Sequence, residues 1–453
     1  MDYENFLKAK EEILHSFGHG CKSDLSLLFD FQKELVKWAT KKGRCALFAD
    51  CGLGKTAMQL KWAESVFIET QRPVLILAPL SVSRQTHEES KKFNVETRIV
   101  SKQEEVFLGI NITNYEKLHH FDCSVFSGVV LDESSILKSF TSSTRNQLIS
   151  AFSKTEYRLA CTATPAPNDF MEIGNHAEFL GIMTRTEMLS MYFINDMKET
   201  QKWRLKKHAQ KGFWAWMSSW SIMIKKPSDI GFSDEGFELP TLRFYHHIVD
   251  FGNACAGNLF KDVAHTLSDQ RKARKESIPD RLLKINEIIN DEQWLVWCDL
   301  NDESESIAGL GFSEVRGSNT PEQKESILMG FADGNVKKLV SKSSIAGFGM
   351  NFQSCHNMIF FGLSHSYESF YQSVRRCWRF GQKHPVNCHI IITDIELPII
   401  ENIERKHKDS EEMQRQMVEN MIDFTKSEIK KTEKKISEYN ATKKIKLPKF
   451  LKG

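Results

Sequence analysis

The sequence predicts an α/β protein of two lobes, each with a parallel sheet flanked by helices. Two series of short apolar runs, separated by helix-compatible stretches, support this prediction. Near-continuous runs of this kind are typical of parallel strands buried on both faces. At 453 residues the chain also exceeds what one hydrophobic core usually accommodates. The first series comprises 45–48, 74–77, 129–131 and 158–161, and the second comprises 294–297, 338–340, 358–361 and 389–392.

The segment between the two series has a different composition and predicts a helical connector. It is rich in Trp, Met, Lys and Phe, and its aromatic residues suit either packing between lobes or base stacking. We favour packing for its tryptophans, which are Trp203, Trp214, Trp216 and Trp220. After Pro398 the pattern becomes helical and charged, with one apolar stripe formed by Met413, Met417, Met421 and Phe424.

These patterns divide the chain into four predicted regions. The first lobe is expected at 1–168, the connector at 169–265, the second lobe at 266–397 and a helical, Lys-rich extension at 398–453. From Lys426 onward the extension holds ten lysines against three glutamates. Two interpretations of this tail remain open, a solvated helix end or a salt-sensitive contact with nucleic-acid phosphates.

Overall composition points to an intracellular protein. The net charge is only +2, the ten cysteines form no Cys-x-x-Cys pair, and no apolar run is long enough to span a bilayer. The first residues lack the basic segment and apolar core of a signal peptide. We therefore expect free thiols, no membrane partner and a cytoplasmic location, either in a bacterium or in the host of a virus. Protein partners are not indicated.

A phosphate-binding motif directly follows the first predicted strand. Residues 49–56 read Ala-Asp-Cys-Gly-Leu-Gly-Lys-Thr and lead into a helix-compatible stretch. Gly52 and Gly54 let backbone amides face phosphate oxygens, and the N-terminus of the following helix attracts the same negative charge. We expect Lys55 to bind the β- and γ-phosphates of ATP, and Thr56 to hold Mg²⁺ through its hydroxyl.

A pair of carboxylates ends the third predicted strand. Residues 129–133 read Val-Val-Leu-Asp-Glu, about 75 residues after the phosphate motif. An apolar strand that delivers two carboxylates at its carboxyl end places them beside a phosphate loop. We expect Asp132 to bind Mg²⁺ through water and Glu133 to polarise the attacking water.

Together with the motifs around them, these residues resemble helicase superfamily two, and within it the Swi/Snf-type ATPases, which have two RecA-like lobes. The resemblance covers about 28–395. It implies that Gln32, in Leu-Phe-Asp-Phe-Gln at 28–32, contacts adenine. Thr162 and Thr164, in Thr-Ala-Thr-Pro at 162–165, would couple hydrolysis to movement. The Asp-Glu pair continues as Ser-Ser, where this group usually has Ala-His, Gly-His or Ala-Asp.

The second lobe carries the motifs most diagnostic of this group. Residues 347–352 read Gly-Phe-Gly-Met-Asn-Phe and resemble its Gly-x-Gly-x-Asn-Leu motif, which implies Gly349 in the ATP site. Residues 372–382 are similar to the closing Gln-x-x-x-Arg-x-x-Arg-x-Gly-Gln motif. By this resemblance Gln372 takes part in coupling, and Arg376 and Arg379 are arginine fingers. Guanidinium groups from the opposite lobe would stabilise charge that develops on the γ-phosphoryl oxygens.

The resemblance also implies contacts with the DNA backbone. Ser81, in Ala-Pro-Leu-Ser-Val at 78–82, and Thr113, in Ile-Thr-Asn-Tyr-Glu at 112–116, are the candidates in the first lobe. Ser343 is the candidate in the second lobe, four residues before the Gly-x-Gly motif.

The predicted function is an ATP-dependent motor that uses Mg²⁺ and moves along DNA, with duplex favoured and a single strand possible. The Gly-Gln ending of the arginine motif favours translocation on duplex DNA without strand separation. One alternative is a strand-separating helicase at forks or junctions, with a wedge hairpin within 170–265; RNA unwinding is a weaker version. A third candidate is a nucleotide-gated scaffold that hydrolyses ATP slowly. The intact motif residues argue against it.

Overall fold

A computed structural model provides the structure of the chain, and it describes residues 17–139, 141–167, 169–195, 203–250, 267–346 and 350–429. Among the helices in these ranges, none combines the length and apolarity needed to cross a membrane. The fold contains two fully parallel sheets, each flanked by helices, which confirms the predicted α/β class with two RecA-like lobes.

The first lobe and the segment after it supply nine strands. In chain order these are β1 (Arg44–Ala49), β2 (Val74–Ala78), β3 (Thr97–Ile99), β4 (Ile110–Asn114), β5 (Gly128–Asp132), β6 (Tyr157–Cys161), β7 (Phe193–Asn195), β8 (Trp203–Leu205) and β9 (Ser221–Ile224). Seven of them form one parallel sheet in the order β3-β4-β2-β5-β6-β1-β9, and β7 pairs with β8 as an antiparallel hairpin. Every residue of β2 and β5 is buried, as their near-continuous apolar sequences predict.

Seven helices accompany these strands. They are α1 (Asp30–Lys42), α2 (Lys55–Thr70), α3 (Leu80–Lys92), α4 (Ser143–Ala151), α5 (Ile173–Leu180), α6 (Arg185–Tyr192) and α7 (Gln210–Trp220). Helix α7 places Trp214 and Trp220 in the hydrophobic core on one face of the sheet, where they are 4% and 2% exposed. The favoured assignment of the tryptophans to packing is therefore correct for these two.

The second lobe is built on a six-stranded parallel sheet in the order β10-β15-β14-β11-β13-β12. Its strands are β10 (Leu242–Val249), β11 (Trp294–Cys298), β12 (Ser313–Val315), β13 (Lys338–Lys342), β14 (Asn357–Phe361) and β15 (Val386–Thr393). Its helices are α8 (Leu267–Glu276), α9 (Ile278–Ile288), α10 (Asn301–Ala308), α11 (Pro321–Ala332), α12 (Ser343–Ala346) and α13 (Tyr367–Val374). Short 3₁₀ turns occur at Gln103–Glu105, Tyr115–His120, Cys123–Val125, Ser134–Leu137, Phe170–Glu172, Lys207–Ala209, Pro227–Ile230 and Asp394–Glu396.

The region expected to be a helical connector differs from that prediction. Besides three helices and a hairpin, it contributes β9 to the first sheet, beside β1, and β10 to the second sheet, beside β15. Strand β9 has only four residues, directly after α7, so its sequence shows no periodicity that separates it from the helix. Its strand conformation depends on pairing with β1, a contact distant in sequence.

A final helix, α14 (Leu397–Ile429), connects the two lobes. Near its start Ile399, Ile400 and Ile403 pack in the core of the second lobe. Further along, Met417 and Met421 are 1% and 0% exposed in the core of the first lobe, which confirms the predicted apolar stripe. Most of the Lys-rich tail, from residue 430 onward, lies outside the described residues.

Candidate ATP site between the lobes

The phosphate loop connects β1 to α2 with two glycines in left-handed conformation. Gly52 has φ of +90° and Gly54 has φ of +77°, values that residues with a Cβ rarely adopt. Lys55 begins α2, and its Nζ donates hydrogen bonds to the carbonyl oxygens of Ala49 at 2.9 Å and Asp50 at 3.4 Å. The ammonium group is thereby folded back over the loop, where a bound phosphate is expected.

Gln32, the predicted adenine contact, lies against this loop. Its Nε2 donates to the carbonyl oxygen of Leu53 at 2.9 Å, and its Oε1 accepts from the backbone N–H of Phe29 at 3.1 Å. A Cβ at Gly54 would lie 2.3 Å from the same Nε2, so glycine is required for this close approach. The side chain therefore ties α1 to the phosphate loop.

An aromatic cluster adjoins Gln32 and draws on both lobes. Phe29 and Phe31 each meet Phe237 edge-on, with ring centroids 5.0 and 5.1 Å apart. Phe237 in turn stacks on Phe380 of the second lobe, with centroids 4.8 Å apart. Planar apolar rings beside an amide form a surface that suits a nucleotide base. Sequence reasoning missed these phenylalanines because only the fold brings them together.

The two carboxylates lie at the carboxyl end of β5. Asp132 is 5% exposed, and burial together with the negative charge of Glu133 raises the pKa of Asp132 to about 6. Glu133 adopts a left-handed conformation, with φ of +53°, immediately after the strand. Non-glycine residues in this conformation concentrate at functional sites, where the surrounding structure enforces them.

The two threonines predicted to act in coupling directly follow the strand between these two motifs. Because β6 pairs with both β1 and β5, Thr162 and Thr164 follow a strand that lies between the phosphate loop and the carboxylates. Both threonines are buried, and the Oγ1 of Thr162 accepts a hydrogen bond from the backbone N–H of Thr164 at 3.1 Å. Gln414 of α14 donates from Nε2 to the carbonyl oxygen of Ala163 at 3.5 Å, so the final helix reaches this segment.

The Ser-Ser continuation of the Asp-Glu pair has a buried partner. Ser134 Oγ lies 3.2 Å from Nε2 of His176, a residue of α5 that is 0% exposed. Burial lowers the pKa of His176 to about 4, so the imidazole is neutral at physiological pH. The sequence offered no signal for this contact, since the two residues are 42 positions apart.

The donor groups fit a magnesium-bound nucleoside triphosphate. Two adjacent carboxylates, one of them buried and with a raised pKa, provide oxygen ligands and a negative charge that a divalent cation would neutralise. Thr56 lies half-buried in the first turn of α2, on the loop beside Lys55. Asp132 and Thr56 would hold Mg²⁺, and the loop amides with Lys55 would bind phosphate oxygens.

The arginine motif follows α13 of the second lobe and faces this site. Arg376 is 5% exposed, and its Nη1 and that of Arg379 donate to the same oxygen, the Met350 carbonyl, at 3.3 and 3.4 Å. Burial and the charge of Arg376 lower the pKa of Arg379 to about 10. Neither arginine projects into bulk solvent.

Within the residues that the structure describes, three ion pairs join the lobes across the cleft. Each links a residue of the first lobe with one of the second: Asp50 with Arg375, Lys138 with Glu368, and Arg84 with Glu325. The Asp50–Arg375 pair involves a residue of the phosphate loop itself and is buried, whereas the Arg84–Glu325 pair is exposed. None of these pairs was predicted, because the partners are more than 200 residues apart.

The remaining predicted residues are placed as follows. Gln372 lies in α13 and is 5% exposed, whereas Gly349 lies outside the described residues. Of the predicted DNA contacts, Thr113 is 1% exposed on β4, so its hydroxyl does not reach the surface in this conformation. Ser343 begins α12 and its Oγ accepts from Ser373 Oγ at 3.0 Å. Ser81 lies in the first turn of α3.

A phosphate loop and a carboxylate pair in one RecA-like lobe, with the arginine motif of the other lobe held to that loop through Arg375 and Asp50, define a helicase-type nucleotide hydrolase. The chain matches the SNF2-related domain over residues 31–207 and the helicase conserved C-terminal domain over residues 277–381, together more than half of its length. It therefore belongs to the SNF2-related ATPases of helicase superfamily two, whose members are DNA-dependent ATP hydrolases.

Comparisons with individual proteins support the family assignment less than the two domain matches do. A comparison with curated proteins found no match. Among solved structures, the SWI2/SNF2 ATPase core of Sulfolobus solfataricus in complex with dsDNA is similar, with 17% sequence identity and a TM-score of 0.42. That alignment covers 91% of this chain and 98% of the archaeal chain. The family assignment rests on the two domain matches.

Proposed function

We propose that the chain is a motor that hydrolyses ATP in the cleft between its lobes and moves along duplex DNA without separating the strands. The main support is the arginine motif, which lies directly on the phosphate loop of the opposite lobe, through Asp50–Arg375 and through Phe380 against Gly52. A site divided in this way makes nucleotide state and lobe closure interdependent, which a motor requires.

Within this proposal each residue has one chemical role. Lys55 and the amides around Gly52 and Gly54 bind and orient the phosphates, and the aromatic cluster with Gln32 holds the base. Mg²⁺, held by Thr56 and Asp132, would neutralise phosphate charge. Glu133 orients and polarises the attacking water.

The arginine fingers complete the site from the second lobe. Arg376 and Arg379 would exchange the carbonyl oxygen of Met350 for γ-phosphoryl oxygens and stabilise the charge that grows on them in the transition state. This exchange is favourable because a guanidinium bonds more strongly to a charged phosphate than to a neutral carbonyl. Turnover therefore requires the second lobe to be seated on the first.

Movement would follow from making and breaking this bridge. Bound ATP joins the lobes and hydrolysis with phosphate release removes the link, so DNA held across both lobes is gripped alternately. Helix α14 packs in the cores of both lobes and keeps them together during the cycle. Its contact with Ala163 brings it to the segment assigned to coupling.

Duplex DNA is the proposed track, on the basis of the SNF2-related match and the Gly-Gln ending of the arginine motif. Ser81, Thr113 and Ser343 stay predicted DNA contacts. Burial of Thr113 implies that its segment would contact phosphate through another group, or after a local rearrangement. A cytoplasmic location stays a prediction as well.

Strand separation is the second candidate, and one feature favours it. Strands β7 and β8 form an antiparallel ribbon between α6 and α7, and Ile194, the middle residue of β7, is 48% exposed. An exposed apolar side chain on a hairpin could act as a wedge between strands. The hairpin therefore provides a direct way to distinguish the two candidates.

ATP turnover measured without nucleic acid and with single-stranded DNA, duplex DNA or RNA tests the proposal. We expect duplex DNA to raise kcat most, with Lys55→Ala as the inactive control. The purified protein should also displace the third strand of a DNA triplex while leaving a forked duplex intact. Stimulation by single strands but not by duplex would overturn the duplex assignment. Unwinding of the fork that is lost in Ile194→Ser would establish the second candidate instead.

A further inference from the structure

A buried ion pair connects the phosphate loop to the arginine motif. The carboxylate of Asp50, the second residue of the motif, pairs with the guanidinium of Arg375. It also accepts hydrogen bonds from Tyr371 Oη at 2.9 Å and from the backbone N–H of Cys51 at 2.6 Å. Asp50 is 9% exposed and Arg375 is 2% exposed. The pair thus crosses the cleft at the nucleotide site, shielded from water.

Both partners remain charged despite their burial. Burial alone would raise the pKa of Asp50, but the charge and hydrogen bond of Arg375, together with the backbone N–H of Cys51 and the charge of Lys55, outweigh it and lower that pKa below its usual value. The Arg375 guanidinium lies over the Trp378 ring, 4.8 Å from the centroid. Within the described part of the chain, its Nε and Nη1 find no hydrogen-bond acceptor. An ion pair of this kind is expensive to bury, so its contribution to stability alone does not explain it.

The pair is one of two anchors on the same segment. Arg375 immediately precedes Arg376, and Phe380 immediately follows Arg379. A Cβ placed on Gly52 would lie only 2.9 Å from the backbone nitrogen of Phe380, so that residue lies against the loop. Both finger arginines therefore fall between two points of contact with the phosphate loop.

We propose that Asp50 and Arg375 are positioning residues that set the register of the arginine fingers on the phosphate loop. The inference rests on the finger roles assigned to Arg376 and Arg379 above. Asp50 contacts no phosphate in this role. It holds the neighbouring arginine, and thereby the start of the finger segment, at a fixed place above the site. A displacement of about 1 Å at a catalytic group can reduce turnover about 100-fold.

The test is a double-mutant cycle with Asp50→Asn, Arg375→Gln and the combined variant, measured as ATP turnover with saturating duplex DNA. Each single variant should lower kcat by about 100-fold, with a smaller change in KM for ATP. The combined variant leaves no unpaired buried charge, so its Tm should recover towards wild type. Its kcat should stay as low as that of either single variant, which a purely stabilising pair would not show.

The exposed pair Arg84–Glu325 is the matched control, because it also joins the lobes but lies away from the arginine motif. Arg84→Gln and Glu325→Gln should leave kcat unchanged. The conservative variant Arg375→Lys keeps the charge and should retain more turnover than Arg375→Gln.

Failure of this inference and failure of the proposed function give different results. If Arg379→Ala abolishes turnover while Asp50→Asn and Arg375→Gln keep wild-type kcat, the positioning role is wrong and the finger role stands. Recovery of kcat together with Tm in the combined variant would likewise overturn it. If duplex DNA does not raise turnover in the wild type, the proposed track is wrong. Basal kcat in the same variants then still measures the positioning effect.

Discussion

Gln59 donates a hydrogen bond from Nε2 to Oδ1 of Asp132 at 2.7 Å, within the core of the first lobe. Gln59 lies one turn after Lys55 on α2 and is 0% exposed, so this helix supports the Asp-Glu pair as well as the phosphate loop. A hydrogen bond to the charged carboxylate opposes the rise in pKa that burial causes at Asp132. It also fixes the orientation of a proposed Mg²⁺ ligand.

Replacing Gln59 with Leu should weaken the binding of Mg²⁺ more than it weakens the hydrolysis of ATP. Without the amide, Asp132 loses both its orientation and a group that favours its charged form. Residues that support metal ligands commonly contribute about 10–100-fold in metal affinity. We therefore expect the Mg²⁺ concentration for half-maximal ATPase activity to rise within about that range, with a smaller effect on kcat at saturating Mg²⁺. An unchanged Mg²⁺ dependence would contradict the supporting role.

Lys55→Ala and Glu133→Gln should separate binding from hydrolysis. Loss of the ammonium group removes the main cationic contact with the phosphates, so Lys55→Ala should lose ATP turnover. Glu133→Gln keeps the shape of the site but cannot polarise water as a carboxylate does, so it should bind ATP and hydrolyse it poorly. Fluorescent-nucleotide binding and phosphate release measure the two steps. Equal hydrolysis by wild type and Glu133→Gln would remove Glu133 from the proposed mechanism.

Arg379→Ala should reduce kcat by about 10³-fold, because the transition-state charge would lose a guanidinium donor from the second lobe. The variant should still bind ATP, since the phosphate loop is unchanged. Arg405→Ala is the control: this arginine is exposed on α14, where it pairs with Asp409. Normal turnover of Arg379→Ala in duplex DNA would rule out the finger role.

Gly52→Ala should have two effects. It should strain the backbone, and it should also disrupt the contact between the lobes. The added methyl group would lie 2.9 Å from the backbone nitrogen of Phe380 and 3.0 Å from its Cβ. Gly231 has nearly the same φ, +92°, but a Cβ there would meet no atom within 4 Å. Gly231→Ala therefore measures the conformational cost alone. We expect kcat to fall in Gly52→Ala and to stay normal in Gly231→Ala, with ATPase assays as the measurement.

The stability of the protein should depend on pH through His176. Its pKa is about 4 in the folded chain against an ordinary 6.5, so the unfolded chain takes up the proton first. Stability from the neutral imidazole is thus complete above pH 6.5 and is lost as pH falls towards 4. Between pH 7.5 and 5.5 the wild type should lose about 1 kcal/mol more than His176→Gln, as measured by urea unfolding. If the free energy of unfolding changed with pH in the same way in wild type and His176→Gln, this role of His176 would be contradicted.

The local motifs could be predicted from the sequence because their physics is local. A buried parallel strand needs a continuous apolar run, and a phosphate loop needs glycine, lysine and threonine at set spacings before a helix. Both signals lie within short segments, so β1, β5 and the loop at Gly52–Lys55 were found in the places where the structure has them. The stripe of Met417 and Met421 followed from helical periodicity in the same way.

Contacts between distant segments were decided only by the tertiary structure. Strand β9 forms because β1 offers an unpaired edge, and four residues carry too little periodicity to show this beforehand. Asp50 meets Arg375, and Ser134 meets His176, because the fold brings together segments that are far apart in the chain. Pairing energies of this kind depend on burial and distance, and neither is encoded in the identity of a residue or of its neighbours. The sequence alone determined the chemistry available to the site, and the packing of the two lobes decided which groups stand across the nucleotide from one another.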